Sequence, residues 1–164
     1  MPTTMNAASA LDEPTVESAL SITGQVRQPL SLSLDDLREY ESIVAAPFDL
    51  RCFTTKRFIR NVGGYRGARL TDLIEKAGLL NESPTDFKRM VFIAAAHDGY
   101  AVTFSWHELF NTPIGENVLV AYECDGRPLA VEEGAPILFS GSDRHSAPRH
   151  VKRLARIVAR LLAP

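Results

Sequence analysis

Cys52 stands among Arg51, Lys56, Arg57, Arg60, Arg66 and Arg69, and no carboxylate interrupts the interval between Asp49 and Asp72. Fixed positive charge close to a sulfur favours thiolate over thiol, so this pattern makes Cys52 the first candidate for chemistry. The competing reading is inert packing, because free cysteines are among the most buried residue types. Cys124 is the second cysteine of the chain, and two cysteines outside any C-x-x-C pair cannot complete a zinc site. Nothing in the sequence requires a disulfide between them.

A second basic block runs from Arg144 to Arg160, and the two blocks together hold twelve of the eighteen Lys and Arg residues in a chain of net charge −2. The segment from Asp12 to Glu41 is acidic. Two basic blocks far apart in sequence either converge on an anionic ligand or form separate solvated faces, and composition leaves both open. Other chemistries find little support. Gly63-Gly64 and Gly67 have the wrong spacing for a Walker A loop or a G-x-G-x-x-G turn. His97, His107, His145 and His150 form no i, i+4 metal-ligand pair, and Ser140, Ser142 and Ser146 lack a nucleophile elbow. Aromatic residues do not interleave with the cations as in nucleic-acid modules, so no nucleic-acid partner is expected.

These residues need a scaffold, and 164 residues with 45% hydrophobic content suffice for one. Residues 1–17 read as a loosely ordered arm and 18–164 as a single domain. A first strand is expected over Leu20–Val26, broken at Gln28-Pro29. Ser33 with Asp36 caps a short helix reaching about Tyr40. Ser42 to Cys52, interrupted by Pro47, reads as an edge or bulged strand that delivers Cys52 into a loop extending past Gly67. Leu70, Leu73, Ile74 and Ala77 mark one helix face, ended by Gly78. Asn81 to Lys88 connects to a strand at Met90–Ala96, which turns at His97-Asp98-Gly99 and returns over Tyr100–Phe104. Ser105 and Glu108 form a capping box for a helix through Phe110. Strands follow at Val118–Cys124, Arg127–Val131 and Pro136–Ser140, with a turn at Asp125-Gly126. Ser140 to Arg153 is a loop, and the last element fits a helix or a strand equally well. The whole is α+β, short strands with hairpins and a few short helices.

From about Ile22 to Ile157 the chain resembles the sulfite oxidase-type molybdopterin-binding domain in its small single-domain form. The resemblance lies in an ordered series of pieces. A strand ends in Cys52, and Asn61-Val62 precedes Tyr65-Arg66-Gly67-Ala68-Arg69-Leu70-Thr71-Asp72-Leu73, similar to W-x-G-x-x-L-x-D-L with tyrosine for tryptophan. Asp98-Gly99-Tyr100, the strand ending Tyr122-Glu123, Asp125-Gly126-Arg127-Pro128-Leu129 and Gly134-Ala135-Pro136 follow, and His150-Val151-Lys152-Arg153-Leu154 is similar to A-K-W-L.

The resemblance implies a molybdopterin cofactor whose molybdenum takes Cys52 as its one protein ligand. It places Arg51, Thr54, Lys56 and Arg57 beside the metal, Asp143, Arg144, His145, Arg149 and Lys152 along the pterin, and Tyr100 facing the metal. The cysteine loop reads C-F-T-T-K-R where sulfite oxidases have C-x-G-N-R-R, so the resemblance does not carry sulfite over as substrate. The expected activity is two-electron redox or oxygen-atom transfer on a small molecule, with a separate electron-transfer protein as partner. The alternative is a non-catalytic pterin- or anion-binding module of the same fold. No stretch has the roughly 18 apolar residues of a membrane span, and the N-terminus lacks a signal-peptide pattern. A cytoplasmic location is expected for the chain as it stands, or a periplasmic one if a signal has been removed.

Overall fold

Leu154–Leu161 forms a strand (β12), and it is the central one of a five-stranded sheet. It runs parallel to β1 (Leu20–Gly24) and antiparallel to β7 (Met90–Ala96), with β2 (Leu30–Leu32) and β8 (Ala101–Ser105) at the edges. An irregularity between Leu154 and Arg156 shifts the register, so Leu154 and Ile157 both face inward although three positions apart. This break in the two-residue period gives the segment its helix-like spacing. The structure, a computed structural model, describes residues 19–163, so the arm expected over residues 1–17 lies outside the described residues.

The second sheet follows the order β10 (Arg127–Pro128), β9 (Val118–Cys124), β6 (Tyr65–Arg69), β3 (Ser42–Val44), with β11 (Ile137–Ser140) also paired to β9. Alternation along β9 divides the interior in two. Val118, Val120 and Tyr122 enter the main core, where they meet Ile22, Phe92, Ile157 and α2 (Leu70–Ala77). Ala121 points the other way into a smaller core with Leu50, Val62, Tyr65, Ile137 and Phe139. That smaller core lies beneath a two-stranded ribbon, β4 (Phe48–Arg51) with β5 (Phe58–Val62).

The sequence around Pro47 divides into two strands in different sheets, β3 and β4. The loop expected from Cys52 past Gly67 is a correction: it contains β5 and β6. β5 leaves four of its five residues exposed and so shows no apolar alternation. β6 contains Gly67, which normally weakens a strand. Here a Cβ would stand 2.3 Å from the Val120 carbonyl oxygen, so only glycine lets β6 approach β9. The strand expected over Arg127–Val131 shortens to β10 and is followed by a 3-10 turn at Val131–Glu133. Tyr100 precedes β8, in the turn. The helices obey their caps: Ser33 and Ser105 each accept from the third helical amide of α1 (Leu34–Arg38) and α3 (Trp106–Phe110), and Gly78 ends α2 at φ +74°. No helix among the described residues is long and apolar enough to cross a membrane.

Candidate functional site

Cys52 leaves β4 and enters a tight turn closed at both ends. Its N–H donates to the Arg57 carbonyl at 2.8 Å, and the Lys56 N–H donates to the Cys52 carbonyl at 2.9 Å. Lys56 takes φ +63°, an uncommon conformation for a residue with a side chain. Inside this turn the Cys52 thiol is held below its ordinary range, first by the Thr55 hydroxyl, then by the backbone amides of Thr55 and Thr54, with Lys56 contributing least. Hydrogen bonds to the thiolate therefore outweigh the surrounding cations, contrary to what charge pattern alone suggests. Thr55 is itself oriented, since its oxygen accepts from the Arg57 N–H at 3.3 Å. Cys124, in contrast, is pushed up, by burial first and the Asp125 carboxylate second.

The cations beside Cys52 lie outward on aromatic rings. Lys56 Nζ sits 4.6 Å from the centre of the Phe53 ring, and the Arg51 guanidinium 5.8 Å from that of Phe58. Phe53 in turn meets His145 edge to face at 5.3 Å. That contact joins the Cys52 turn to the segment 142–152, so the two basic blocks do converge. Tyr100 reaches the same segment, its hydroxyl donating to the Pro148 carbonyl.

Within 142–152 the residues divide into tied and free. Arg149 holds Asp143 with Nε and Nη2, Asp143 also accepts from the Ser140 hydroxyl at 2.8 Å, and Arg149 Nη1 reaches Glu108 and the Thr103 carbonyl, each at 3.0 Å. Burial alone would lower the Arg149 pKa, but Asp143 and Glu108 more than reverse this and raise it. Asp143 and Arg149 therefore anchor the segment. Arg144 and His145 are exposed, as are Thr54 and Arg57 in the cysteine turn.

Behind this surface Tyr65 Oη lies 2.8 Å from His150 Nε2, with the two rings stacked at 5.8 Å and Phe48 edge-on to the imidazole at 6.2 Å. Tyr65 also lines a cleft of about 300 Å³ with Arg60, Cys124, Arg127, Glu133 and Lys152. Three cations thus meet there from β5, β10 and the end of the loop that leads into β12.

The family model for the oxidoreductase molybdopterin binding domain matches residues 10–160. The chain belongs to this family. It is similar to the uncharacterized oxidoreductase YuiH of Bacillus subtilis (strain 168), 28% identical over 118 residues, which are 72% of this chain and 53% of YuiH. The chain thus spans about half the length of that relative. Among solved structures it is similar to the sulfane dehydrogenase SoxCD from Paracoccus pantotrophus, with a TM-score of 0.63 and 21% identity over 85% of this chain and 37% of that one. At that identity the likeness shows the fold.

The residues present fit the cofactor named by the family. A single soft sulfur ligand whose thiol pKa is lowered, with cations beside it, suits a metal whose other ligands are sulfur and whose carrier is an anion. Among the described residues no three His, Cys, Asp or Glu side chains gather as a metal site. A metal at Cys52 would therefore take most of its ligands from the pterin. Sequence reasoning named Arg60 only as one cation of the run around Cys52, and missed Thr55 and the Tyr65–His150 contact. The last joins residues 85 positions apart, and only the fold brings them together.

Proposed function

We propose that this chain is a molybdopterin-dependent oxidoreductase in which Cys52 ligates the molybdenum and a small substrate is turned over there, with electrons exchanged through a separate protein. When bound, the cofactor supplies the two-electron redox chemistry. The chain's own part is to hold and orient. The turn from Cys52 to Arg57 shifts the sulfur toward its thiolate form through the Thr55 hydroxyl and two amides. Lys56, Arg51 and Arg57 set a positive field at its mouth, which favours an anionic pterin and an oxyanion substrate. Lys152, in the cleft with Arg60 and Arg127, is a charge-assisted donor for the pterin side. Tyr100, fixed against Pro148, stands at the substrate side.

The single observation that carries this reading is the Cys52 thiol lowered by the Thr55 hydroxyl and two backbone amides in a turn that meets the second basic segment at His145. The test is molybdenum analysis of protein from a host that makes the cofactor, with Cys52→Ser beside it. Near-stoichiometric metal that disappears in the variant is the expected result. Equal pterin retention in both proteins, without metal in either, would instead establish a non-catalytic binding module.

A further inference from the structure

Tyr65 is 2% exposed, and among the described residues the one hydrogen bond of its hydroxyl is with His150 Nε2. Arg60 acts on the phenol as a nearby cation, and a guanidinium has no lone pair with which to accept its proton. The phenol proton must then point elsewhere, and His150 Nε2 at 2.8 Å is the acceptor in place. An accepting Nε2 in a neutral imidazole leaves the proton on Nδ1.

The surroundings keep both partners neutral. Burial pushes the Tyr65 phenol up to about 12, and burial first, then the Arg60 and Lys152 charges, pull His150 down to about 4. Arg60 on β5 and Lys152 are the charged groups that act on the imidazole, both cationic, while β4 and β6 present the rings of Phe48 and Tyr65. Among the described residues no fully buried side-chain nitrogen or oxygen lacks a partner, and the one hydrogen bond of His150's ring is at Nε2. Nδ1 therefore keeps some exposure and stays available to a further partner.

We propose that Tyr65 locks His150 as its Nδ1–H tautomer and so makes His150 a neutral hydrogen-bond donor to an acceptor atom of the group held between the Cys52 turn and segment 142–152. Tyr65 is a positioning residue here, and phenylalanine could not replace it. The identity of that group rests on the cofactor reading above; the tautomer does not.

Two measurements test this on the full chain. In histidine-labelled, metal-free protein near neutral pH, long-range proton–nitrogen correlation should show His150 protonated at Nδ1. Tyr65→Phe, which keeps the ring, should move it toward the Nε2–H form. His150 protonated at Nε2 in the wild type would overturn the proposal. In protein from a cofactor-making host, Tyr65→Phe should lower molybdenum retention roughly fivefold, the effect of one hydrogen bond. His150→Asn places an amide N–H where Nδ1 was and needs no phenol, so adding Tyr65→Phe to it should change retention little. Equal losses in the two backgrounds would reduce Tyr65 to packing and overturn the positioning role. A wild type with the Nδ1–H tautomer and no molybdenum would sink the cofactor reading while the tautomer assignment stands.

Discussion

Arg149 closes on Asp143 with two nitrogen donors, Nε 2.7 Å from Oδ2 and Nη2 2.6 Å from Oδ1. The pair spans six residues, and a third nitrogen of the same guanidinium reaches Glu108 in α3. Two residues that the family resemblance directs toward the pterin thus hold each other and tie segment 142–152 to α3.

The side chains of Arg149 and Asp143 are only 18% and 11% exposed, so this pair is unlike a solvated salt bridge. Asp143→Ala strips a partly buried guanidinium of its main partner and is expected to cost about 2–3 kcal/mol. Urea unfolding of the two proteins checks this. A loss well under about 1 kcal/mol would put the pair with exposed ones.

His150 has a pH signature. Its folded-state pKa of about 4 lies below the ordinary 6.5, so the unfolded chain takes up a proton first. Stability from this residue is full above about pH 6.5 and falls as pH drops toward 4, by about 3 kcal/mol in the limit. Unfolding free energies measured from pH 7 to pH 4 should show this slope, and His150→Asn should flatten it.

In metal-free protein Cys52 should react with iodoacetamide at lower pH than Cys124, whose thiol is raised by burial and Asp125. Thr55→Val removes the leading stabiliser of the Cys52 thiolate and should move its reactivity midpoint upward. Rates followed against pH by mass spectrometry distinguish the two sites, and an unmoved midpoint would assign the effect to the amides or to Lys56.

Gly67→Ala would set a methyl against the Val120 carbonyl oxygen and the Ala121 Cα, both backbone atoms that cannot rotate aside. A loss of roughly 2–3 kcal/mol is expected from the forced separation of β6 and β9. Thermal unfolding measures it. Gly126, whose added Cβ would meet nothing within 4 Å, serves as the comparison, with only its positive φ of +77° opposing substitution.

Much of the scaffold was legible because local rules agree with the fold. The Ser33 and Ser105 capping boxes, the Gly78 stop and the apolar runs of β7 and β9 each carry their element in a few residues. β5 and β6 were not, since one is largely exposed and the other is centred on a glycine whose purpose lies in β9. For the site, the cation run pointed to Cys52, but the groups that act most on its sulfur are Thr55 and two amides, which charge counting cannot see. The Arg149–Asp143 clasp was equally hidden, because a cation in a basic block gives no sign of which anion it will find.

The central place of β12 bears on how the molecule is made. β1 is bridged to β7 only through residues 154–161, and segment 142–152 leads straight into them. A ribosome that has released everything up to Arg153 has produced two unjoined halves of the first sheet, with the open backbone edges of β1 and β7 exposed. The main sheet therefore closes only after Leu161 emerges, and segment 142–152 becomes anchored at both ends in that same step. A group held by that segment, as the cofactor is in our proposal, would therefore meet a chain whose main sheet has already closed.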